Sequence, residues 1–328
     1  MTEGCFPFLR ATFYRWAQLF PEICKAQHTA PRVLGVGDLH VENFGTWRDI
    51  EGRLVWGVND FDEAATAPYL IDIVRLLASV EIARGEQRVH IATADALEAF
   101  RGGYREHLES GGEPIVLMEK HPALRTMAVA RLKNPAAFWT KLNSLETLRG
   151  GVPTEAARGV RALLPDRKAT GLRWVHRTAG LGSLGRRRFV AIASWRGGLI
   201  AREAKELAPS AAVWAGWAKQ TSIRYQELIE TSVRSTDPFV RLRRKWLIRR
   251  LAPDCSRIEL ASLGEQRDEQ RLLQNMGRET ANVHLATGKA KRLLADLESR
   301  KASELLKAVK GMVKATEADW AEWKAAHR

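Results

Sequence analysis

The sequence predicts an α+β fold of two parts: a mainly helical body built around a few short strands, and a smaller antiparallel sheet. Three observations predict it. Apolar residues recur at helical spacing over long stretches at both ends of the chain. Two short apolar runs, Arg32 to Val36 and Leu54 to Val58, each end in a polar, acidic cluster. Beyond Gly171 the pattern changes to short runs rich in β-branched and aromatic residues, punctuated by glycines.

At the N-terminus, Phe8, Leu9, Phe13, Trp16, Ala17 and Phe20 fall on one face of a helix from Phe6 to Phe20, with an early break expected at Pro21. The first apolar run then delivers Asp38, with Asn43 five positions later; the second delivers Asp60 and Asp62. The segment Thr46 to Arg53, with Asp49 and Gly52, reads as a hairpin connection between adjacent strands. Asp38, Asn43, Asp60 and Asp62 are therefore expected to converge at one end. Oxygen ligands of this kind suit Mg²⁺, which is commonly held by one or two carboxylates together with substrate phosphates. The plain alternative is turn chemistry, since Gly, Asn and Asp dominate turns.

Helices are expected from Tyr69 to Ala83, with Asp72 in the first turn, and from Val89 to Glu109. Arg125 to Leu148 reads as mostly helical, and Gly150-Gly151-Val152-Pro153 marks a boundary. Leu172 to Arg177, Phe189 to Trp195 and Leu199 to Leu207 read as strands; Gly180-Leu181-Gly182-Ser183-Leu184-Gly185 lies between the first two, and Lys205 on the third. Pro209 to Val233, Glu265 to Arg300 and Lys301 to Arg328 read as helices. Trp246 to Leu251 reads as a strand within the basic run Arg241 to Arg250.

The formal net charge of +14 favours anionic partners such as nucleotides, phosphorylated substrates, nucleic acid or an acidic membrane surface; a solvated Arg-rich surface is the competing reading. A basic run beside Trp246 allows nucleic-acid binding but does not favour it. Cys5, Cys24 and Cys255 are widely spaced, without zinc-ligand spacing, so a reduced cytoplasmic setting is expected. No apolar run approaches the ~20 residues of a membrane helix, and MTEGCFPFLR lacks the pattern of a signal peptide.

Gly37-Asp38-Leu39-His40-x-x-Asn43 resembles the catalytic loop of aminoglycoside-phosphotransferase-like, protein-kinase-like enzymes, and Asn59-Asp60-Phe61-Asp62 resembles their metal-binding loop. The fuller strings GDLHVENFG and NDFDEA, followed by Asp72-x-x-Arg75-Leu76, resemble the uncharacterised bacterial domain-of-unknown-function family 2252, from about Phe8 to His284. The resemblance implies a two-lobed kinase-like fold and an ATP- and Mg²⁺-dependent phosphotransferase acting on a hydroxyl of an unidentified small molecule. Asp38 would orient and deprotonate that hydroxyl. Asn43 and Asp60 would hold metal, with Asp62 as a further ligand. Gly180, Gly182, Ser183 and Gly185 would cover the phosphates and Lys205 contact them. Asp72 would brace the catalytic loop. Glu227 or Glu230 would pair with Lys205, while Glu203 and Glu206 are expected on the opposite sheet face. The chain departs from the pattern at Val36, where many such kinases carry His.

In ordinary kinases the glycine-rich loop precedes the catalytic loop; here it follows. Either one of the two motifs arises by chance or the fold is circularly permuted; permutation, the favoured reading, puts residues 1–160 and 263–328 in the catalytic lobe and 165–262 in the nucleotide lobe. Two other classes remain open: a metal-dependent phosphoesterase using Asp38-x-His40 and later acids, and a pseudokinase or basic nucleotide- or nucleic-acid-binding module.

Overall fold

The computed structural model describes residues 1–118, 120–130, 132–165, 169–178, 185–219, 221–255 and 266–327, with the side chains of 266 and 267 excepted. The protein is a mixed α and β fold. The chain opens with α1 (Cys5–Ala11), α2 (Phe13–Ile23) and α3 (Lys25–His28), then β1 (Arg32–Gly35), β2 (Phe44–Arg48), β3 (Leu54–Val58) and β4 (Ala65–Pro68). The helices α4 (Leu70–Gly85), α5 (Thr93–Ser110), α6 (Pro122–Ala130), α7 (Pro135–Asn143) and α8 (Thr154–Ala162) follow. Next come β5 (Thr170–His176), β6 (Arg188–Trp195), β7 (Gly198–Glu206), α9 (Ala211–Trp214), α10 (Tyr225–Thr231), β8 (Arg241–Arg243) and β9 (Trp246–Leu251). Three helices close the chain, α11 (Gln266–His284), α12 (Ala290–Ser299) and α13 (Ala302–Ala326). No helix of the described residues is long and apolar enough to cross a membrane.

Helix α4 is the centre of the helical part. Almost every one of its residues is buried, so it is apolar on all sides rather than on one stripe. Helices α1, α3, α5 and α13 pack around it. Its polar exceptions, Asp72, Arg75 and Ser79, are fully buried and recur at i, i+3 and i+7, which places them on one face. All three turn to the segment after β1.

That segment is held between two small antiparallel sheets. β1 pairs with β4, Gly35 opposite Ala65, and β2 pairs with β3, Phe44 opposite Val58. The strands that deliver the two acidic clusters, β1 and β3, are therefore not paired with each other as expected, but both deliver them at the same end. The turn between β2 and β3 is shorter than expected. The Asp49 carboxylate closes it by accepting the N–H groups of Glu51 and Arg53 at 3.0 and 2.9 Å.

The other sheet runs β5-β6-β7-β9-β8, all antiparallel. α8 covers one face, burying Ala156 and Val160 against Phe189, Ala191, Ala204, Trp246 and Ile248. The opposite face carries Val175, Val190, Ile192 and Ala201, packed against Leu142 of α7. The basic run is the β8–β9 hairpin, and its cations are largely engaged: Arg243 with Glu155, Lys245 with Glu206, Arg249 with Glu203 and Arg250 with Asp237.

Several helices are shorter than their periodicity predicts. The N-terminal one is interrupted at Thr12, and Pro21 sits inside the last turn of α2. A proline near a helix end removes only one ladder donor, so α2 continues to Ile23. Arg125 to Leu148 divides where Asn134 caps α7, its side chain accepting the Ala137 N–H. Pro209 to Val233 holds only α9 and α10, since Gly216, at φ 79°, turns the chain out of the helix. Glu265 to Arg300 breaks between α11 and α12 at Gly288.

α5 and α11 cross so closely that glycine is required on both. A Cβ on Gly103 would lie 1.9 Å from the Gln274 carbonyl oxygen, and one on Gly277 2.1 Å from that of Phe100. Gly277→Ala should force the helices apart and cost about 2 kcal/mol, whereas Gly102→Ala, with open space around it, should be neutral or stabilise by up to ~1 kcal/mol through helix propensity. Urea unfolding of both variants checks the contrast.

α11 also supplies Glu279, whose carboxylate reaches over Gly57 to accept the Val58 N–H at 3.0 Å. Burial pushes its carboxyl up to about 7, against the pull of Arg234. A carboxyl raised on folding contributes stability that is full below its unfolded value and is lost as pH rises through about 7. Glu279→Gln should therefore flatten the decline in stability measured between pH 5 and pH 8.

Candidate functional site

The site begins with the backbone of the segment after β1. Asp72 accepts the N–H groups of Val36 and Gly37, one on each carboxylate oxygen, both at 2.8 Å. His284 of α11 meets Asp72 Oδ2 through Nε2 at 2.9 Å, and the Tyr104 hydroxyl meets His284 Nδ1 at 2.7 Å. Ser79 accepts the Val41 N–H at 3.0 Å. Gly37 has φ 80°, and a Cβ there would sit 2.4 Å from the Glu63 carbonyl oxygen, so only glycine lets the two loops touch.

Arg75 fixes Asp38. Its Nε donates to Asp38 Oδ1 at 2.7 Å and one terminal nitrogen approaches the same oxygen at 2.5 Å. The guanidinium is braced by the Leu9 carbonyl and lies 5.0 and 4.9 Å from the ring centroids of Phe13 and Trp16. Arg75 is fully buried, whereas 19% of the Asp38 side chain is exposed, so the carboxylate reaches an opening from a rigid anchor. Burial pushes the Asp38 carboxyl up, Arg75 pulls it back, and the charge of Asp60 adds to the upward shift.

Asn43 joins the two acidic loops. Its Nδ2 donates to the carbonyls of Asp38 and Asp60, at 3.2 and 3.0 Å. Both amide hydrogens are thereby used, which identifies the nitrogen. Lys205, 1% exposed, reaches the second loop from β7: its Nζ lies 3.2 Å from both carboxylate oxygens of Asp60 and is also ion-paired with Asp62. The Asp62 carboxyl is pushed up to about 8, by burial first and the Asp60 charge second, against the pull of Lys205. Asp62 Oδ1 is buried with no hydrogen-bond partner among the described residues.

Lys205 does not pair with α10: Glu227 is bound to Arg224, and Glu230 accepts from Gln226. Glu203 does not lie on the opposite face either. It is two residues from Lys205 and shares its face, as strand alternation requires. Glu203 is fully buried among Arg177, Arg188 and Arg249, at 2.8, 3.2 and 2.7 Å. Burial would push its carboxyl up, but the three guanidiniums, Arg249 foremost, hold it well below the usual carboxylate range. Arg188 and Arg249 also feel the charge of Asp60. This face of the sheet is thus a cationic surface turned toward the acidic loop.

The structure brings Asp38, Asn43, Asp60, Asp62 and Lys205 together. Gly185 lies in a turn at φ 85° before β6; Gly180, Gly182 and Ser183 lie outside the described residues, as does the expected boundary at 262/263. The sequence reading does not single out Arg188 and Arg249, although each is a charge at an inward position of an alternating strand. His284 is buried and braces Asp72. His40 accepts the Glu42 N–H on Nδ1 at 3.2 Å and packs edge-on to Phe6. Among the described residues no group of three or more His, Cys, Asp and Glu side chains is arranged to hold a metal ion; two carboxylates and an amide are the smaller set that Mg²⁺ uses alongside phosphates.

Residues 1–137 match the model of a family described as an uncharacterized protein conserved in bacteria (DUF2252). The matched stretch contains both acidic loops and α4, and ends before the five-stranded sheet. No curated protein and no solved structure matches the chain.

Lys205 is the cation nearest both acids, and Lys205→Met should leave two poorly solvated carboxylates facing each other. A loss of about 3 kcal/mol at pH 8 is expected from an unpaired buried charge. The loss should shrink toward pH 5 as a carboxyl takes up a proton, measured by urea unfolding at the two pH values.

Proposed function

We propose that the chain is an ATP- and Mg²⁺-dependent phosphotransferase with a two-lobed, circularly permuted kinase-like fold. The observation that carries this reading is the ion pair of Lys205 with Asp60 and Asp62. It joins residues 145 positions apart in a sequence whose motif order is reversed. A cation suited to phosphate and acids suited to a metal meet beside a third carboxylate, Asp38.

The catalytic lobe comprises residues 1 to about 133 with 263–328. The packing of α11 on α5, and of α13 on α4, α2 and α1, supports their joining. The nucleotide lobe is the five-stranded sheet, to which α7 and α8 also adhere, so its boundary is drawn closer to Asn134 than to 165. Val36 costs the loop a side-chain hydrogen bond that many kinases have, but Asp72 and His284 hold the same backbone from the other side.

The residues present fit Mg²⁺: Asp60, Asp62 with its unpartnered Oδ1, and the amide oxygen of Asn43 would hold it. The ion would neutralise charge on the phosphates. Lys205, with Arg188 and Arg249 behind it, contributes positive charge toward the phosphate oxygens. Arg75 occupies Asp38 Oδ1, which leaves Oδ2 to accept the hydroxyl proton of the acceptor. The acceptor oxygen bonds to the γ-phosphorus as its bond to the β,γ-bridging oxygen breaks, and ADP leaves with that electron pair. Positioning and charge neutralisation supply the rate.

His40 spends Nδ1 on a backbone N–H, which weighs against the phosphoesterase use of Asp38-x-His40. The engaged cations of the β8–β9 hairpin weigh against a nucleic-acid face.

Thermal unfolding with ATP and Mg²⁺, singly and together, tests the reading. Both together should raise stability by about 2.7 kcal/mol at a hundredfold excess over Kd, and Asp60→Ala should abolish the gain. Asp38→Ala should keep the gain and lose phosphoryl transfer. No shift with any nucleotide, or full transfer in either variant, would overturn the assignment.

A further inference from the structure

Beside the acidic loop lies a cavity of about 440 Å³, within the range of small-molecule sites. It begins where that loop ends: Ala64, Ala65 and Thr66 form one wall, and Ser210, whose hydroxyl donates to the Glu63 carbonyl at 3.0 Å, joins it to the next. The same carbonyl is the one against which Gly37 rests, beside Asp38. Every lining residue comes from β1, the 64–66 segment or residues 210–224; the five-stranded sheet, with its phosphate-directed cations, contributes none. The cavity is therefore separate from the cationic sheet face.

Its lining combines apolar Val213 and Trp217 with the cations Arg32, Lys219 and Arg224. Arg32 is fastened into the wall by donating to the carbonyls of Thr66 and Trp217, at 2.6 and 2.5 Å. Burial lowers its pKa, as befits a cation lacking a counter-ion. Among the described residues neither Arg32 nor Lys219 has a carboxylate within ion-pair distance. Arg224, the third lining cation, is neutralised by Glu227. Ser210, Ser222 and Thr66 bring hydroxyls to the same space.

Two exposed cations without a carboxylate partner, beside apolar lining and one loop away from the proposed base, match a compound with a dianionic end and a hydroxyl. We infer that this cavity is the acceptor subsite, and that the acceptor is a small phosphorylated alcohol or sugar. Its phosphate monoester lies against Arg32 and Lys219, and its free hydroxyl is directed to Asp38. The inference rests on the phosphotransferase reading above. The reaction is the one written there: the hydroxyl oxygen gains the γ-phosphoryl group, its proton passes to Asp38, and ADP departs. The acceptor's own phosphate stays intact as a handle.

The test uses the full chain, with the nucleotide site saturated by a non-hydrolysable ATP analogue and Mg²⁺ so that anions cannot settle on the sheet face. Binding of inorganic phosphate, glycerol 3-phosphate and glucose 6-phosphate is measured by calorimetry against glycerol and glucose. ADP release is measured separately with ATP. The phosphorylated probes should bind at least tenfold more tightly than the neutral ones and should raise ADP release. Lys219→Glu, an exposed position whose change leaves the fold intact, should weaken them at least tenfold while the ATP·Mg²⁺ thermal shift is unchanged. Arg32→Gln should do the same if it folds; Lys219→Glu decides the matter without it. Equal binding of neutral probes, or no effect of Lys219→Glu, overturns the subsite and leaves the phosphotransferase standing. Phosphate binding that responds to Lys219→Glu without any nucleotide shift or ADP release overturns the acceptor role together with the phosphotransferase reading.

Discussion

The carboxylate of Asp72 is the interaction on which the rest depends. It sits on a helix with almost no exposed residue, and it accepts two consecutive backbone N–H groups of the loop that carries Asp38, with His284 against its second oxygen. A buried carboxylate is costly unless its lone pairs are satisfied, and here three donors from two distant segments satisfy it. Asp72 thereby ties β1, α4 and α11 together. The consequences run outward: Gly35 and Gly37 must be glycine because of what lies against them, and Asp38 is presented at one position because its backbone cannot move.

A second constraint is electrostatic. Asp38, Asp60, Asp62 and Glu63 crowd one region, and burial pushes Asp62 and Glu63 up to about 8 and about 7. The sheet opposite is built to answer them. Lys205, Arg188 and Arg249 lie on its inward face around Glu203, which in turn keeps those cations from repelling one another. In the proposed phosphoryl transfer, phosphates and a divalent ion would take the place of these internal partners in a low-dielectric space. The net charge of +14 is thus not merely a solvated surface, since several of its arginines are committed to this face and to the hairpin behind it.

Much of the site was readable because its chemistry is local. Asp38 and Asn43 are five positions apart, Asp60 and Asp62 follow one strand, and Asp72 and Arg75 share one helical face; each pattern has a short-range physical reason. The same holds for the strands at 189–195 and 246–251, where alternation and β-branching govern. Reading failed where partners are remote. Glu227 and Glu230 were natural partners for Lys205 by element order, yet their own neighbours Arg224 and Gln226 are nearer. Glu203 is expected on the opposite face, yet its two-residue spacing from Lys205 puts both on one side of the strand.

The sequence by itself determined the two acidic loops, the buried helix after them and the antiparallel strands that bear Lys205, because turn chemistry, helical spacing and alternation act over a few residues. Only the tertiary structure decided that Lys205 meets Asp60 and Asp62, that His284 stands behind Asp72, that β1 pairs with β4 rather than with its neighbour, and that Gly103 and Gly277 let two helices touch. Those outcomes turn on which surfaces bury one another and which charges then lie within reach, and sequence periodicity carries no information about distances between elements.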